Sequence, residues 1–327
     1  MKTPIVSVIM PVYNTAKYVQ SAVESVLAQS FENFELLIID DAGTDESIEL
    51  CRAYDDPRIH IISQANRGLA GARNTGIRHA RGQFVALLDS DDLWEPEKLE
   101  RHVEHLWRSP DVGVSYAASS MMDDDGNMLR IVQRPKLKGV TARDVFLRNP
   151  VGNGSAPVLR RAVFDDIAFI NPKRDELDYF DESFRQSEDI ECWCRIALMT
   201  AWRFEGIVGT YTRYRINEGG LSANVVKQFE TWSRVKTRVS ELDPAFANEW
   251  GAYAEAYQKR YLARRCFRMG EGALAWSLLK EALQTCPQIL VEEPAKTLTT
   301  LVAVLALRFK PEHANRTLQA LLERRSA

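Results

Sequence analysis

Three carboxylates directly follow an uninterrupted apolar run, Phe84 to Leu88. Such a run favours a strand that is buried on both faces, as in a parallel sheet. Asp89 and Asp91 are two residues apart, so in an extended chain their side chains point the same way. Aligned carboxylates repel each other unless a cation lies near them, and Mg2+ or Mn2+ accepts such oxygen ligands. The spacing therefore predicts a metal site at Asp91 and Asp89; the alternative is that Asp91 or Asp92 caps a helix beginning near Trp94.

Polar residues also follow two earlier strand-like runs. Pro11-Val-Tyr13-Asn14 comes after the first run, and Asp40 and Asp41 come after the second. Because the carboxyl ends of parallel strands meet at one edge of a sheet, these residues are expected to share a crevice with Asp89. The glycine-rich dinucleotide loop and the Walker loop are both missing. A nucleotide could instead bind with Tyr13 stacked on its base and Asp40 accepting a hydrogen bond from it.

The composition is that of an ordinary globular protein, with 45% hydrophobic and 27% charged residues among 327. A net charge of -3 argues against a general nucleic-acid binder, so no nucleic-acid partner is expected. Charge is uneven, because residues 225–327 hold 16 Lys and Arg against 11 Asp and Glu. This basic tail either faces anionic lipid or is solvated.

Five scattered cysteines, an odd number, indicate reduced thiols and a cytoplasmic location. The chain opens with Met1-Lys-Thr-Pro and runs straight into a strand, so no signal peptide is expected. The longest apolar stretch, Leu298 to Leu307, is far shorter than the ~20 residues that span a bilayer. The tail is therefore predicted not to cross the membrane.

Strand-like and helix-like segments alternate through residue 118, which predicts right-handed βαβ units and a parallel sheet. The predicted strands are Val6–Pro11, Phe34–Asp40, Arg58–Ser63 and Phe84–Asp89. Residues 119–224 are mixed and include the small-residue stretch Gly152 to Ala156. Residues 225–327 carry helical patterns almost alone. The sequence predicts an α/β body followed by a helical C-terminal domain.

Seven motifs together are similar, in order and spacing, to those of family 2 glycosyltransferases with the GT-A fold. They are Val8-Ile-Met-Pro-Val-Tyr-Asn14, Ser25-Val-Leu-Ala-Gln-Ser30, Leu37-Ile-Ile-Asp-Asp41, Asn66-Arg-Gly68, Ala72-Arg-Asn-Thr-Gly76, Leu88-Asp-Ser-Asp-Asp92 and Glu188-Asp189. The resemblance covers about the first 220 residues. It implies a Rossmann-like mixed sheet flanked by helices, with a nucleotide-sugar half at 1–118, an acceptor half at 119–224 and a helical domain at 225–327.

The resemblance implies a metal-dependent hexosyltransferase that moves one sugar from a nucleotide diphosphate, expected to be UDP, to an acceptor hydroxyl with inversion. The acceptor would be a glycan or a lipid-linked sugar in polysaccharide biosynthesis, and the cofactor Mn2+ or Mg2+. The residues implied in nucleotide binding are Pro11, Tyr13, Asn14, Asp40, Asp41, Arg73, Asp89 and Ser90, with Asp91 and Asp89 at the metal. Two alternatives stay open: Asp41 caps a turn, and Arg73 is a solvated arginine on a helix.

Inversion by direct displacement needs a base opposite the leaving group, and a carboxylate suits that task. The resemblance makes Asp189 this base and Glu188 its neighbour; the alternative is that both only complement a helix dipole. The Gly-Gly-Phe-Asp stretch common before the base is altered to Asp178-Tyr-Phe-Asp181. The Gln-x-x-Arg-Trp signature of processive synthases is missing, which favours a single transfer per event.

The role of the tail is open. Most of four arginines, related by spacings of three to four, are predicted to share a helical face at the membrane surface, or else to pair with acids of the catalytic body. The four are Arg260, Arg264, Arg265 and Arg268. Failing membrane contact, the tail is interpreted as a packing or homo-oligomerisation module. The competing function is a non-catalytic GT-A-like scaffold or sugar-nucleotide-binding protein that acts through this tail.

Overall fold

The computed structural model describes residues 3–216 and 225–309. The chain divides into two compact units. The first comprises Met1–Val145 and Asn149–Asn217, and the second comprises Phe146–Arg148 and Glu218–Ala327. The domain boundaries expected after residues 118 and 224 stay predictions.

The described residues contain strands and helices in the following order. The strands are β1 (Val6–Val12), β2 (Phe34–Asp40), β3 (Ile59–Ser63), β4 (Phe84–Leu87), β5 (Leu93–Trp94), β6 (Val112–Met122), β7 (Met128–Gln133), β8 (Val158–Arg160), β9 (Phe169–Asn171), β10 (Glu176–Asp178) and β11 (Arg203–Arg215). The helices are α1 (Val19–Leu27), α2 (Ser47–Arg52), α3 (Gly68–His79), α4 (Lys98–Arg108), α5 (Ala142–Arg148), α6 (Arg161–Ile167), α7 (Glu188–Met199), α8 (Val225–Leu242), α9 (Pro244–Arg268), α10 (Gly272–Thr285), α11 (Ile289–Glu292) and α12 (Pro294–Phe309).

The main sheet of the first unit is mixed, with the order β3-β2-β1-β4-β8-β6-β11-β5 and β7 added beside β6. Strand β1 is parallel to β2 and to β4, and β2 is parallel to β3. The predicted parallel βαβ arrangement is thus confirmed for the first four strands. Since β8 pairs antiparallel with both β4 and β6, the rest of the sheet departs from that pattern.

The core lies along β1, β2 and β4, whose side chains are almost wholly buried. Helix α1 covers them with apolar residues at helical spacing, namely Val19, Ala22, Val23 and Val26. Helix α3 approaches closely through Gly76, where an added Cβ would lie 2.3 Å from Cγ2 of Ile9. Burying each aliphatic side chain contributes roughly 1.5–3 kcal/mol, so this packing holds the strand ends in register.

The chain after Asp89 to Asp92, which we call the Asp cluster, does not form the helix start that the capping alternative requires. Leu93 and Trp94 form β5, which pairs antiparallel with β11, and α4 begins only at Lys98 with Glu97 at its N-cap position. The alternative that Asp91 or Asp92 caps this helix is therefore wrong. The Trp94 indole Nε1 donates to the Ser155 carbonyl at 2.9 Å, so tertiary contacts override the local helix signal.

The second unit is helical, as predicted for the tail. Its core contains buried residues of α9 and α10 such as Leu262, Ala263 and Leu279. Arg260 is buried and donates to Glu293 and to the Thr297 hydroxyl in the same unit. Arg260 does not contribute to the predicted basic face, because it makes an internal ion pair. The membrane contact of the other three arginines stays a prediction. No helix within 3–216 and 225–309 combines the length and apolarity needed to cross a membrane.

Candidate active site

The loop after β1 presents an open aromatic ring. Pro11 is buried within β1 opposite Ile39, whereas Tyr13 is 49% exposed. Asn14 has a left-handed φ of 52°, and its side-chain oxygen accepts the Thr44 N–H at 2.7 Å. Asn14 thus ties the loop after β1 to the loop after β2. The nucleotide contacts of Pro11, Tyr13 and Asn14 stay predictions.

The two aspartates after β2 have different surroundings. Asp40 is partly exposed, and its oxygens accept the Ala42 N–H and the Ser63 hydroxyl. Asp41 is buried, and its carboxylate accepts the N–H groups of Arg67 and Gly68, at the start of α3. In the turn that follows, the Ala42 N–H is accepted by Asp40, so Asp41 positions the start of α3 instead of capping that turn. The nucleotide contact of Asp41 stays a prediction. Asp40 is partly exposed and therefore remains accessible to a ligand.

Arg73 connects two parts of the first unit. It is only 1% exposed, so the alternative of a solvated arginine is wrong. Its two terminal nitrogens donate to Asp89 at 2.7 Å and to Glu188 at 2.8 Å. Its Nε is buried without a hydrogen-bond partner. Burial alone would lower the pKa of Arg73, but the surrounding Asp89, Glu188 and Asp189 raise it, and the guanidinium stays charged.

The residues of the Asp cluster differ in what holds them. Asp92 is buried and accepts the Ser155 hydroxyl at 2.6 Å and the Arg215 N–H at 2.8 Å. Ser90 is also buried, and its hydroxyl shares a hydrogen bond with Thr15. Its predicted contact with the nucleotide stays a prediction. Asp91 is partly exposed, and its backbone carbonyl accepts Nε of Arg215.

The three carboxylates of the cluster lie close enough to affect one another electrostatically. Burial, followed by the nearby Asp91 and Asp89 carboxylates, raises the pKa of Asp92 well above its ordinary value. Within the described residues no group of three or more His, Cys, Asp or Glu side chains is arranged to hold a metal. Mg2+ and Mn2+ need few protein oxygens when phosphates and water supply the others. Three neighbouring carboxylates are compatible with such an ion, and the metal site at Asp91 and Asp89 stays a prediction.

The predicted base lies at the start of α7, where Ser187 has a left-handed φ of 60°. Burial, opposed by Arg73 and reinforced by Asp189, raises the pKa of Glu188 to about 7. Burial also raises the pKa of Asp189, against the effect of Arg73.

Asp189 is partly exposed, whereas Glu188 is buried against Arg73. Both lie in the first turn of α7, so the helix dipole also favours their charged forms. A raised pKa suits proton uptake near neutral pH, and Asp189 is the more accessible of the two.

The altered stretch before the base has a structural explanation. Asn74 of α3 accepts the N–H groups of Tyr179 and Phe180 and donates to the Phe180 carbonyl. Asp178 is fully buried and accepts from Arg78 and from other donors around it. These contacts order the segment leading to α7, although Asp178 and Tyr179 stand where the common stretch has two glycines.

Sequence reasoning missed three residues that lie beside the cluster. They are Gly154, Ser155 and Lys98. The Lys98 ammonium donates to the Ala156 carbonyl and the Thr212 hydroxyl, and burial lowers its pKa to about 7 despite Asp92. Only the small-residue stretch Gly152 to Ala156 was visible as a signal.

Comparisons with known proteins identify the family. Residues 7–168, about half of the chain, match the family described as Glycosyl transferase family 2. The putative teichuronic acid biosynthesis glycosyltransferase TuaG of Bacillus subtilis (strain 168) is 29% identical over 233 residues, covering 70% of this chain and 86% of TuaG. Several other curated relatives are longer, and the chain spans about a third of their length.

Two solved structures share the fold. S. aureus TarS 1-349 in complex with UDP-GlcNAc superposes with a TM-score of 0.61 at 20% identity, covering 93% of this chain and 91% of that chain. The mannosyltransferase PcManGT from Pyrobaculum calidifontis, in complex with GDP-Man and Mn2+, gives a TM-score of 0.59 at 21% identity, covering 98% of this chain and 86% of that one. The mixed sheet with its flanking helices is therefore the GT-A fold, and the chain belongs to glycosyl transferase family 2 and is a glycosyltransferase.

Proposed function

We propose that this enzyme transfers one sugar from a UDP-sugar to an acceptor hydroxyl, with a divalent metal ion and with inversion at the anomeric carbon. One observation carries the proposal: a single buried guanidinium, that of Arg73, contacts Asp89 at the strand end and Glu188 beside the predicted base. A donor bound at Asp89 would thus lie within reach of the carboxylates at the start of α7. The Arg73 guanidinium therefore connects Asp89, which is proposed to hold the donor, with the start of α7, which carries the proposed base.

The donor is proposed from the residues at the strand ends. The exposed ring of Tyr13 can stack on a base, and the accessible edge of Asp40 can accept a hydrogen bond from it. Asp91 and Asp89 would hold the metal ion, which when bound neutralises charge on the leaving diphosphate. TarS in complex with UDP-GlcNAc supports a UDP-sugar, and PcManGT with GDP-Man and Mn2+ supports the ion.

The proposed chemistry is a single displacement. The acceptor hydroxyl oxygen attacks the anomeric carbon while an Asp189 oxygen takes its proton, and the bond from that carbon to the diphosphate breaks. The diphosphate leaves with the electron pair of that bond. Glu188 does not reach the acceptor in this scheme; its contact with Arg73 holds the start of α7 beside Asp89.

The acceptor is proposed to be a glycan or a lipid-linked sugar at the cytoplasmic face of the membrane. The name of TuaG, which refers to teichuronic acid biosynthesis, supports a polysaccharide pathway. Peripheral contact with anionic lipid would rest on the exposed Arg264 and Arg268, since Arg260 is buried. Homo-oligomer formation through the helical unit is the alternative use of this tail.

The proposal is tested by incubating the enzyme with a panel of UDP- and GDP-sugars and measuring release of the nucleoside diphosphate. We expect at least one UDP-sugar to be turned over with Mn2+ or Mg2+, and turnover to stop when EDTA is added, because the diphosphate charge is then not neutralised. A matched reaction with EDTA and excess Mn2+ controls for damage by the chelator. Turnover that persists in EDTA alone would remove the metal from the proposal, and no turnover of any donor would favour the scaffold alternative.

A further inference from the structure

The residues Asn153 to Ala156, which we call the brace, precede β8, with Pro157 between them and the strand. Strand β8 pairs antiparallel with β4, with Ala86 opposite Val158. Continuing this register past the end of β4 places Ser155 opposite Asp89. The brace therefore reaches the Asp cluster through sheet pairing, although more than sixty residues separate the two in sequence.

The Ser155 hydroxyl contacts the cluster at two points. It accepts the backbone N–H of Asp89 at 3.0 Å and donates to Oδ2 of Asp92 at 2.6 Å. A serine hydroxyl has one proton, so accepting from Asp89 leaves that proton for Asp92. Ser155 thus fixes the backbone at the first aspartate and the side chain at the last. Asp91, the predicted metal ligand, lies between these two fixed points.

The rest of the brace is itself held in place. The Ser155 carbonyl accepts the Trp94 indole at 2.9 Å, and Asn153 accepts the Ser155 N–H and donates to Ser119. At Gly154 an added Cβ would lie 2.2 Å from an Arg73 nitrogen and 3.0 Å from an Asp89 oxygen. The brace therefore packs against the Arg73–Asp89 ion pair, and Ser155 has little room to move.

We propose that Ser155 is a positioning residue that holds Asp89 and Asp91 in the geometry needed to bind the metal and the nucleoside diphosphate. This inference rests on the proposed function and adds to it a residue outside every strand-end motif. Without the hydroxyl, the Asp89 N–H and Asp92 Oδ2 each lose a buried partner, and the segment between them can shift. Donor binding should suffer more than the chemical step, because Asp189 lies on a different element.

The test is calorimetry of UDP and of GDP with Mn2+ on the wild-type enzyme and on Ser155→Ala, together with melting curves and steady-state kinetics. Ser7→Ala is a matched control. Ser7 is equally buried, donates to the Glu35 carboxylate at the same 2.6 Å and accepts backbone N–H groups. It lies near the start of β1, opposite Val85, and not at the strand ends that carry the Asp cluster. Both variants should melt at a lower temperature than the wild type.

We expect Ser155→Ala to raise the dissociation constant of the nucleotide about tenfold or more, which corresponds to the loss of one buried hydrogen bond to a charged group. The decrease in kcat should be smaller than this factor. Ser7→Ala should leave the dissociation constant within about twofold. Ser155→Cys, which keeps a weak donor of similar size, should give an intermediate value, and it carries the test if Ser155→Ala does not fold.

The inference is overturned if the folded Ser155 variants bind nucleotide as tightly as the wild type, or if Ser7→Ala weakens binding equally. In both cases the wild type still binds, so the proposed function stands. If the wild-type enzyme binds neither UDP nor GDP with Mn2+, the proposed function fails, and this inference fails with it.

Discussion

Asp189→Asn is expected to lower sugar transfer by about a hundredfold or more while nucleotide binding stays intact. The amide cannot take the acceptor proton, but it keeps the size of the side chain and the hydrogen bond to the Ile190 N–H. Single-turnover transfer and calorimetry with the nucleotide and Mn2+ measure the two effects separately. A loss in kcat with an unchanged dissociation constant is the expected result.

Asp181→Asn provides a matched control for this substitution. Asp181 lies in the stretch that precedes α7, and its carboxylate accepts the Ser183 N–H, which an amide oxygen can also do. Its transfer rate should stay near that of the wild type. Near-normal turnover of Asp189→Asn would mean that the base lies elsewhere, and Glu188 would be the next carboxylate to replace.

Arg73→Met is expected to destabilise the protein by about 3–5 kcal/mol, because it leaves buried carboxylates without their counter-charge. The loss should appear as a lower midpoint in urea unfolding of the folded enzyme. Combining it with Glu188→Gln should recover part of the stability, since one of the two uncompensated carboxylates is then removed. Transfer activity should fall in both variants, because Asp89 and the start of α7 are no longer joined.

Arg195→Met separates stability from function. Arg195 is also buried and pairs with Glu191 of the same helix, away from Asp89. We expect a comparable loss of stability with retained donor binding. If the free energy of unfolding of Arg73→Met lies within about 1 kcal/mol of the wild-type value, the ion pairs of Arg73 do not hold the site together.

Local patterns were enough to predict the first half of the sheet. The apolar runs of β1, β2 and β4 have no polar alternation, and burial on both faces requires such runs. The polar residues after them, including Asp40 and Asp89, follow the strand ends as expected. These strands and the polar residues at their ends could be predicted from the sequence, because each element depends mainly on residues close to it in the chain.

The remaining features depend on contacts between distant residues. Strand β5 lies where the capping alternative places the start of a helix, because Pro96 and the following acids resemble a first helical turn. Its partner β11 lies about 120 residues later. The burial of Arg73 requires Glu188, which comes from α7. The burial of Arg260 requires Glu293, from the end of α11. Spacing on one helix cannot reveal either partner.

The central claim is that Asp91 and a divalent ion together hold the nucleoside diphosphate at the strand ends. Calorimetry of UDP with the wild-type enzyme, once with Mn2+ and once with EDTA, tests it most directly, and Asp91→Asn repeats both titrations. We expect tight binding only for the wild type with Mn2+, because the diphosphate and the Asp cluster otherwise repel each other. Equal affinity in Mn2+ and EDTA, or an Asp91→Asn variant that binds like the wild type, would contradict the claim.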